Sequence, residues 1–178
     1  VMRWLLLYLS NARWARMTVT HLSFARRAAR RFIAGETLEE AVAASRALNE
    51  KGLRVSLDCL GESVEHEEDT RAVVATYREL IERIATEGLD ASVSVKLTHL
   101  GLDIREALAA DNLRAILQAG SQHDVAVTID MESSAYTART IEIFRAMHNG
   151  EGFSNVGAVI QSYLYRSAGD MQLLAEDG

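Results

Sequence analysis

The sequence predicts an α/β fold in which βα units repeat on a parallel sheet behind a helical N-terminal arm. Short β-branched runs begin near residues 53, 91, 124 and 156, at spacings of 38, 33 and 32 residues, about what a strand, a helix and two loops require. Between them, apolar residues recur at helical intervals. Strands that read as buried on both faces belong to a parallel sheet under helices.

The arm is residues 1–35. It holds seven arginines (Arg3, Arg13, Arg16, Arg26, Arg27, Arg30 and Arg31) before the first acid, Glu36. The pattern suits a helical arm packed on its own domain with solvated arginines. With Trp4, Leu5, Leu6, Leu7 and Trp14 it also suits a basic amphipathic helix on a membrane surface. WLLLYL is short for a signal-peptide core, and no clear small-residue cleavage site follows it.

Residues 36–178 carry the repeat. Thr37 and Glu40 form a capping box for a helix whose apolar positions are Leu38, Ala41, Val42, Ser45 and Leu48, stopped by Gly52. LRVSLDCL (53–60) is the first strand. Val73, Val74, Tyr77, Leu80, Ile81 and Ile84 form the stripe of the next helix, ended by Gly88, with Glu65, Glu67, Glu68 and Asp69 favouring its N-terminus. ASVSVKL (91–97) is the second strand, and Leu113, Ile116 and Leu117 mark a helix that Gly120 ends. DVAVTIDM (124–131) is the third strand, followed by a helix through Ile141, Phe144 and Met147 that closes at Asn149-Gly150. VGAVIQSYL (156–164) is the fourth, with a further helix from about Ala168.

Composition sets limits. A chain of 178 residues, 48% hydrophobic and 25% charged, suits about one soluble domain. A net charge of -6 with no basic, aromatic-interleaved stretch argues against nucleic-acid binding. The single cysteine, Cys59, excludes an internal disulfide framework and fits a reducing compartment. No apolar run nears the ~20 residues that span a bilayer. The expected location is the cytoplasm, with peripheral contact at the inner membrane face through the arm.

Each strand carries a polar residue at its carboxyl end: Asp58, Lys96, Asp130 and Gln161. Lys96 and an aspartate could form a structural ion pair and nothing more. Four such residues at one level instead line one rim of a parallel sheet, where α/β folds place their sites. No G-x-G-x-x-G follows a strand and no G-x-x-x-x-G-K-[ST] is present, so nothing supports a nucleotide-binding doubly wound fold. A doubly wound sheet and part of a (βα)8 barrel both fit the spacing. The five histidines lack metal-ligand spacing, Cys59 reads as a small core residue, and Ser133-Ser134 reads as a loop or cap.

RRFIAGETLEEA (30–41), LDCLGE (57–62), VSVKLTHLGLD (93–103), VTIDMES (127–133) and VGAVIQSYLYR (156–166) resemble the proline dehydrogenase family. The resemblance covers roughly residues 26–166. It implies a partial (βα)8 TIM-type barrel of about four βα units, FAD as cofactor, and oxidation of L-proline to pyrroline-5-carboxylate in proline catabolism. By position, Lys96 matches the family lysine at the proline carboxylate and Asp130 an active-site acid. Met131 and Gln161 match flavin contacts, while Asp58 and Glu132 are supporting acids. His99 stands where the family commonly has glutamine. The electron acceptor implied is a membrane quinone. The chain ends just after the fourth strand and part of its helix, so the arginines that the family's second half brings to flavin and substrate carboxylate are not in it. Half a barrel, with open edges and an apolar barrel-facing surface, is expected to be poorly stable or to self-associate. Two other readings use the same residues: Lys96 as the Schiff-base nucleophile of a barrel aldolase, or a non-catalytic barrel fragment.

Overall fold

The computed structural model describes residues 33, 35–61 and 63–176. The predicted arm, with its arginines and membrane contact, lies outside the described residues except for Ile33 and Gly35. The described residues divide into two units, with the boundary between Ser45 and Arg46. In the first, the expected cap forms: Glu40 N–H donates to Thr37 Oγ1 at 3.2 Å, and Glu36 N–H donates to Glu40 Oε2 at 2.7 Å. These bonds satisfy donors that the first turn leaves open. Helix α1 (Leu38–Asn49) starts there and runs past the boundary.

The second unit alternates β1 (Val55–Asp58), α2 (Glu67–Thr86), β2 (Ala91–Val95), α3 (Glu106–His123), β3 (Val127–Ile129), α4 (Thr137–Arg145), β4 (Val156–Ala158) and α5 (Ser167–Glu176). A π-helical turn, Ala146–Gly150, extends α4 to the predicted Asn-Gly stop. Each strand pairs in parallel with its predecessor, in the order β1-β2-β3-β4. A doubly wound sheet reverses that order at a switch point. Here it never reverses, and right-handed crossovers then put the helices on one side. The fold is therefore four units of a (βα)8-type barrel.

The strands are not buried alike on both faces. Leu57, Val93, Val127 and Val156 share one register level, with Val95 and Ile129 two residues on, and all six are buried. They pack with Tyr77, Ile81, Leu113, Ile116 and Leu117 of the helices as the core. The opposite face presents Ser56, Asp58, Ser92, Ser94, Thr128 and Gly157. The predicted apolar barrel-facing surface is thus largely polar, because serine, threonine and, in β4, glycine stand at the alternate positions. The loss of apolar burial expected of half a barrel falls away; among the described residues β1 and β4 each pair on one side only.

One helix end also differs. Gly120 does not stop α3, which continues to His123 and ends on Asp124 in a left-handed conformation at φ 56°. Gly120 is small for another reason: a Cβ there would lie 2.6 Å from the Val125 carbonyl oxygen and 2.7 Å from Asn155 Nδ2.

Candidate active site

The register decides which rim residues meet. Asp58 is level with Ser94, and Val95 with Ile129, so Lys96 and Asp130 share a level one pleat above Asp58. Ile129 is level with Ala158, which sets Gln161 a further two residues along. The four do not sit at one level, as the sequence suggested, but climb in steps of two. Even steps keep Asp58, Lys96 and Asp130 on the same polar face.

Lys96 Nζ donates to Asp58 Oδ2 at 2.5 Å and to Asp130 Oδ2 at 3.4 Å. Its side chain is 23% exposed, against 31% and 34% for the aspartates. Burial pulls the ammonium pKa down, but hydrogen bonding and attraction to Asp58, then to Asp130, outweigh it and raise the pKa above the ordinary lysine value. Lys96 is held as a cation. Because its folded pKa is raised, the stability it adds is present at neutral pH and is lost only as pH climbs through that value.

Lys96, Asp130, Met131 and Gln161 line one open cleft of about 440 Å³, with Ser63, Glu132, Ser133 and Tyr136 completing its wall. Gln161 Nε2 donates to the Met131 carbonyl at 3.3 Å, while Gln161 Oε1 is buried with no partner. That orphaned acceptor fits an N–H donor of a bound molecule. Asp58 reaches the cleft only through Lys96. Glu132 turns inward: its two oxygens accept from Thr98 N–H at 3.1 Å and Thr98 Oγ1 at 2.5 Å.

The KLTHLGLD segment (96–103) explains how the lysine is presented. Leu97, Leu100 and Leu102 are at most 1% exposed and anchor the turns that follow β2. Gly101, at φ 97°, lets the chain turn where a Cβ would lie 2.9 Å from Leu108 Cδ2. Thr98 ties three loops together. It takes Ser63 N–H on Oγ1 at 3.2 Å and Val64 N–H on its carbonyl at 3.3 Å, and it donates to Glu132. Asp103 accepts the Tyr136 hydroxyl at 2.9 Å. The His99 imidazole lies against Gly61, where a Cβ would stand 2.5 Å from Cε1 and Nε2. Burial, the largest effect, holds the His99 pKa below its ordinary value; Asp58 and Glu132 oppose that and Lys96 adds to it.

Sequence reasoning missed Thr98, Tyr136 and Tyr77 as parts of this site. Tyr77 was legible only as one member of an apolar helical stripe, although a buried tyrosine hydroxyl always raises the question of its partner. Among the described residues no group of three or more His, Cys, Asp or Glu side chains could hold a metal.

Residues 41–178 match the family model described as Proline dehydrogenase. Proline dehydrogenase 1 of Bacillus subtilis subsp. natto is 43% identical over 148 residues, which cover 83% of this chain and 48% of that protein. Proline dehydrogenase of Deinococcus radiodurans is 35% identical over 145 residues, covering 80% and 47%. The crystal structure of proline utilization A (PutA) from Bdellovibrio bacteriovorus inactivated by N-propargylglycine superposes with a TM-score of 0.74 at 26% identity, over 82% of this chain and 18% of that one. The chain spans about half the length of the curated relatives it matches. Its four-unit parallel sheet and its match over residues 41–178 agree: the chain belongs to the proline dehydrogenase family.

Proposed function

We propose that, in the complete protein, this rim oxidises L-proline to pyrroline-5-carboxylate with FAD as the electron acceptor. The observation that carries the reading is Lys96, fixed as a cation between Asp58 and Asp130 at the mouth of the cleft, in a chain of this family. A fixed ammonium can bind and orient a carboxylate, and it favours negative charge that develops beside it. Asp130 and Asp58 keep Lys96 charged and aimed. The oxidation removes two electrons and two protons across the C5–N bond of proline. FAD, when bound, supplies the two-electron acceptor. Gln161 and Met131 would hold it, and the unpaired Gln161 Oε1 suits an N–H on the edge of a flavin pyrimidine ring.

The aldolase reading is not favoured. A Schiff-base lysine must be available as the neutral amine, whereas both aspartates here push the Lys96 pKa up. We assign a membrane quinone as the final acceptor, reached from the cytoplasmic face through peripheral contact of the basic arm. No described helix is long and apolar enough to cross a membrane.

The test is Lys96→Ala in the complete protein. It should weaken carboxylate inhibitors and slow proline-dependent flavin reduction by about tenfold or more, while flavin remains bound. Asp130→Ala should cost more than Gln161→Ala, because it leaves Lys96 with one counter-charge fewer. Normal turnover in Lys96→Ala at normal flavin content would make the lysine structural and end the proposal.

A further inference from the structure

The Tyr77 hydroxyl meets the ion-pair network from the helix layer. Tyr77 lies on α2 and is 0% exposed, yet its hydroxyl reaches between the ends of β1 and β2. It lies 2.8 Å from the Ser94 carbonyl and 3.1 Å from Asp58 Oδ1, and it accepts Cys59 N–H at 3.2 Å. We infer that Tyr77 is a positioning residue that holds Asp58 with one carboxylate oxygen on the tyrosine and the other on Lys96. The inference rests on the proposed role of Lys96 for its catalytic meaning, but not for its geometry.

Three observations support it. The two Asp58 oxygens are divided, Oδ1 to Tyr77 and Oδ2 to Lys96, so holding the first aims the second. Tyr77 also takes the N–H of the residue after Asp58 and faces the carbonyl of Ser94, which is level with Asp58 in the sheet. The hydroxyl has one proton, divided between the Ser94 carbonyl at 2.8 Å and Asp58 Oδ1 at 3.1 Å, while its oxygen accepts Cys59 N–H and so pins the backbone of β1 where it stops. Burial, followed by the nearby Cys59 and Asp58, pushes the phenol pKa above its ordinary value; the hydroxyl keeps its proton and remains a donor. Phenylalanine would fill the same core space without any of this, so the hydroxyl is what separates positioning from packing.

The chain contains two lysines, Lys51 and Lys96, and Lys51 is exposed. Limited acetylation of the purified chain, read by peptide mass spectrometry, therefore reports Lys96 against an internal standard. In Tyr77→Phe, Asp58 can swing away, and Lys96 should react about fivefold faster relative to Lys51, the effect of losing roughly one hydrogen bond's worth of restraint. In Asp58→Ala the ratio should rise at least as far, and adding Tyr77→Phe should raise it no more, because the hydroxyl acts only through Asp58. A purely packing role would lower the melting temperature and leave the ratio alone; an unchanged ratio in a folded Tyr77→Phe overturns the inference. A second measurement does not need that variant to fold: the ¹³Cζ resonance of Tyr77 should shift between wild type and Asp58→Ala, and an unmoved resonance also overturns it. Neither readout involves proline or flavin, so failure of the proposed reaction would leave this result standing, and the reverse.

Discussion

Removing the Glu132 carboxylate should loosen the loops around the cleft more than any other single truncation at its wall. Glu132 accepts two hydrogen bonds from one residue, Thr98 N–H at 3.1 Å and Oγ1 at 2.5 Å. Thr98 is 1% exposed, so water cannot replace the carboxylate without opening the loop. A hydrogen bond to a charged group contributes roughly 1.5–3 kcal/mol, and a buried donor left unpaired keeps its desolvation cost. Two such bonds at about 2 kcal/mol each, less about 1 kcal/mol for the freedom the side chain regains on release, give a net loss of about 3 kcal/mol for Glu132→Ala. Glu132→Gln keeps one acceptor and should lose about 1–2 kcal/mol. Thr98→Val removes only the hydroxyl bonds, and in a cycle with Glu132→Ala it should show a coupling of about 1–2 kcal/mol. Urea unfolding followed by far-ultraviolet circular dichroism measures each value. A loss below about 0.5 kcal/mol for Glu132→Ala would refute the reasoning, because that is the range of an ordinary surface substitution.

His99 should make the protein acid-sensitive. Its folded pKa is lowered, chiefly by burial, so below about pH 6.5 the unfolded chain binds more protons and stability falls as pH drops. His99→Gln should flatten that slope, as seen in urea midpoints between about pH 7.5 and pH 5.5. Gly61→Ala should destabilise by about 1–3 kcal/mol, because its methyl meets the His99 ring at 2.5 Å. Shortening the ring in Gly61→Ala/His99→Ala should recover part of that loss in a thermal melt. Gly120→Ala sets two effects against each other: about 1 kcal/mol of helix propensity gained and about 1–3 kcal/mol of overpacking against the Val125 carbonyl and Asn155. The backbone carbonyl cannot move aside like a flexible side chain, so we expect a lower melting temperature; a higher one would show that α3 shifts freely.

The βα order was legible because strands, helices and their stops leave local marks: a run of β-branched residues, a stripe at helical spacing, a capping Thr37–Glu40 pair. The rim residues were legible for a related reason. A charged or amide side chain at the end of an apolar run is costly wherever it sits, so Asp58, Lys96, Asp130 and Gln161 stood out one by one. What each of them does was not written locally. Whether the sheet reversed, as in a doubly wound fold, or advanced, as in a barrel, depended on pairing between residues 29 to 36 positions apart. The same pairing set the two-residue steps that bring Lys96 against both aspartates, and it turned the serine face of the strands away from the helices. Gly120 looked like a stop and is a point of close approach, because only packing reveals what a missing Cβ makes room for. Tyr77 looked like one more apolar position on a stripe, because periodicity registers which way a side chain points and not what its far end touches. The sequence determined the elements, their order and the residues too costly to be accidental; long-range pairing and packing decided which of those residues meet, at what distance, and therefore what they can do.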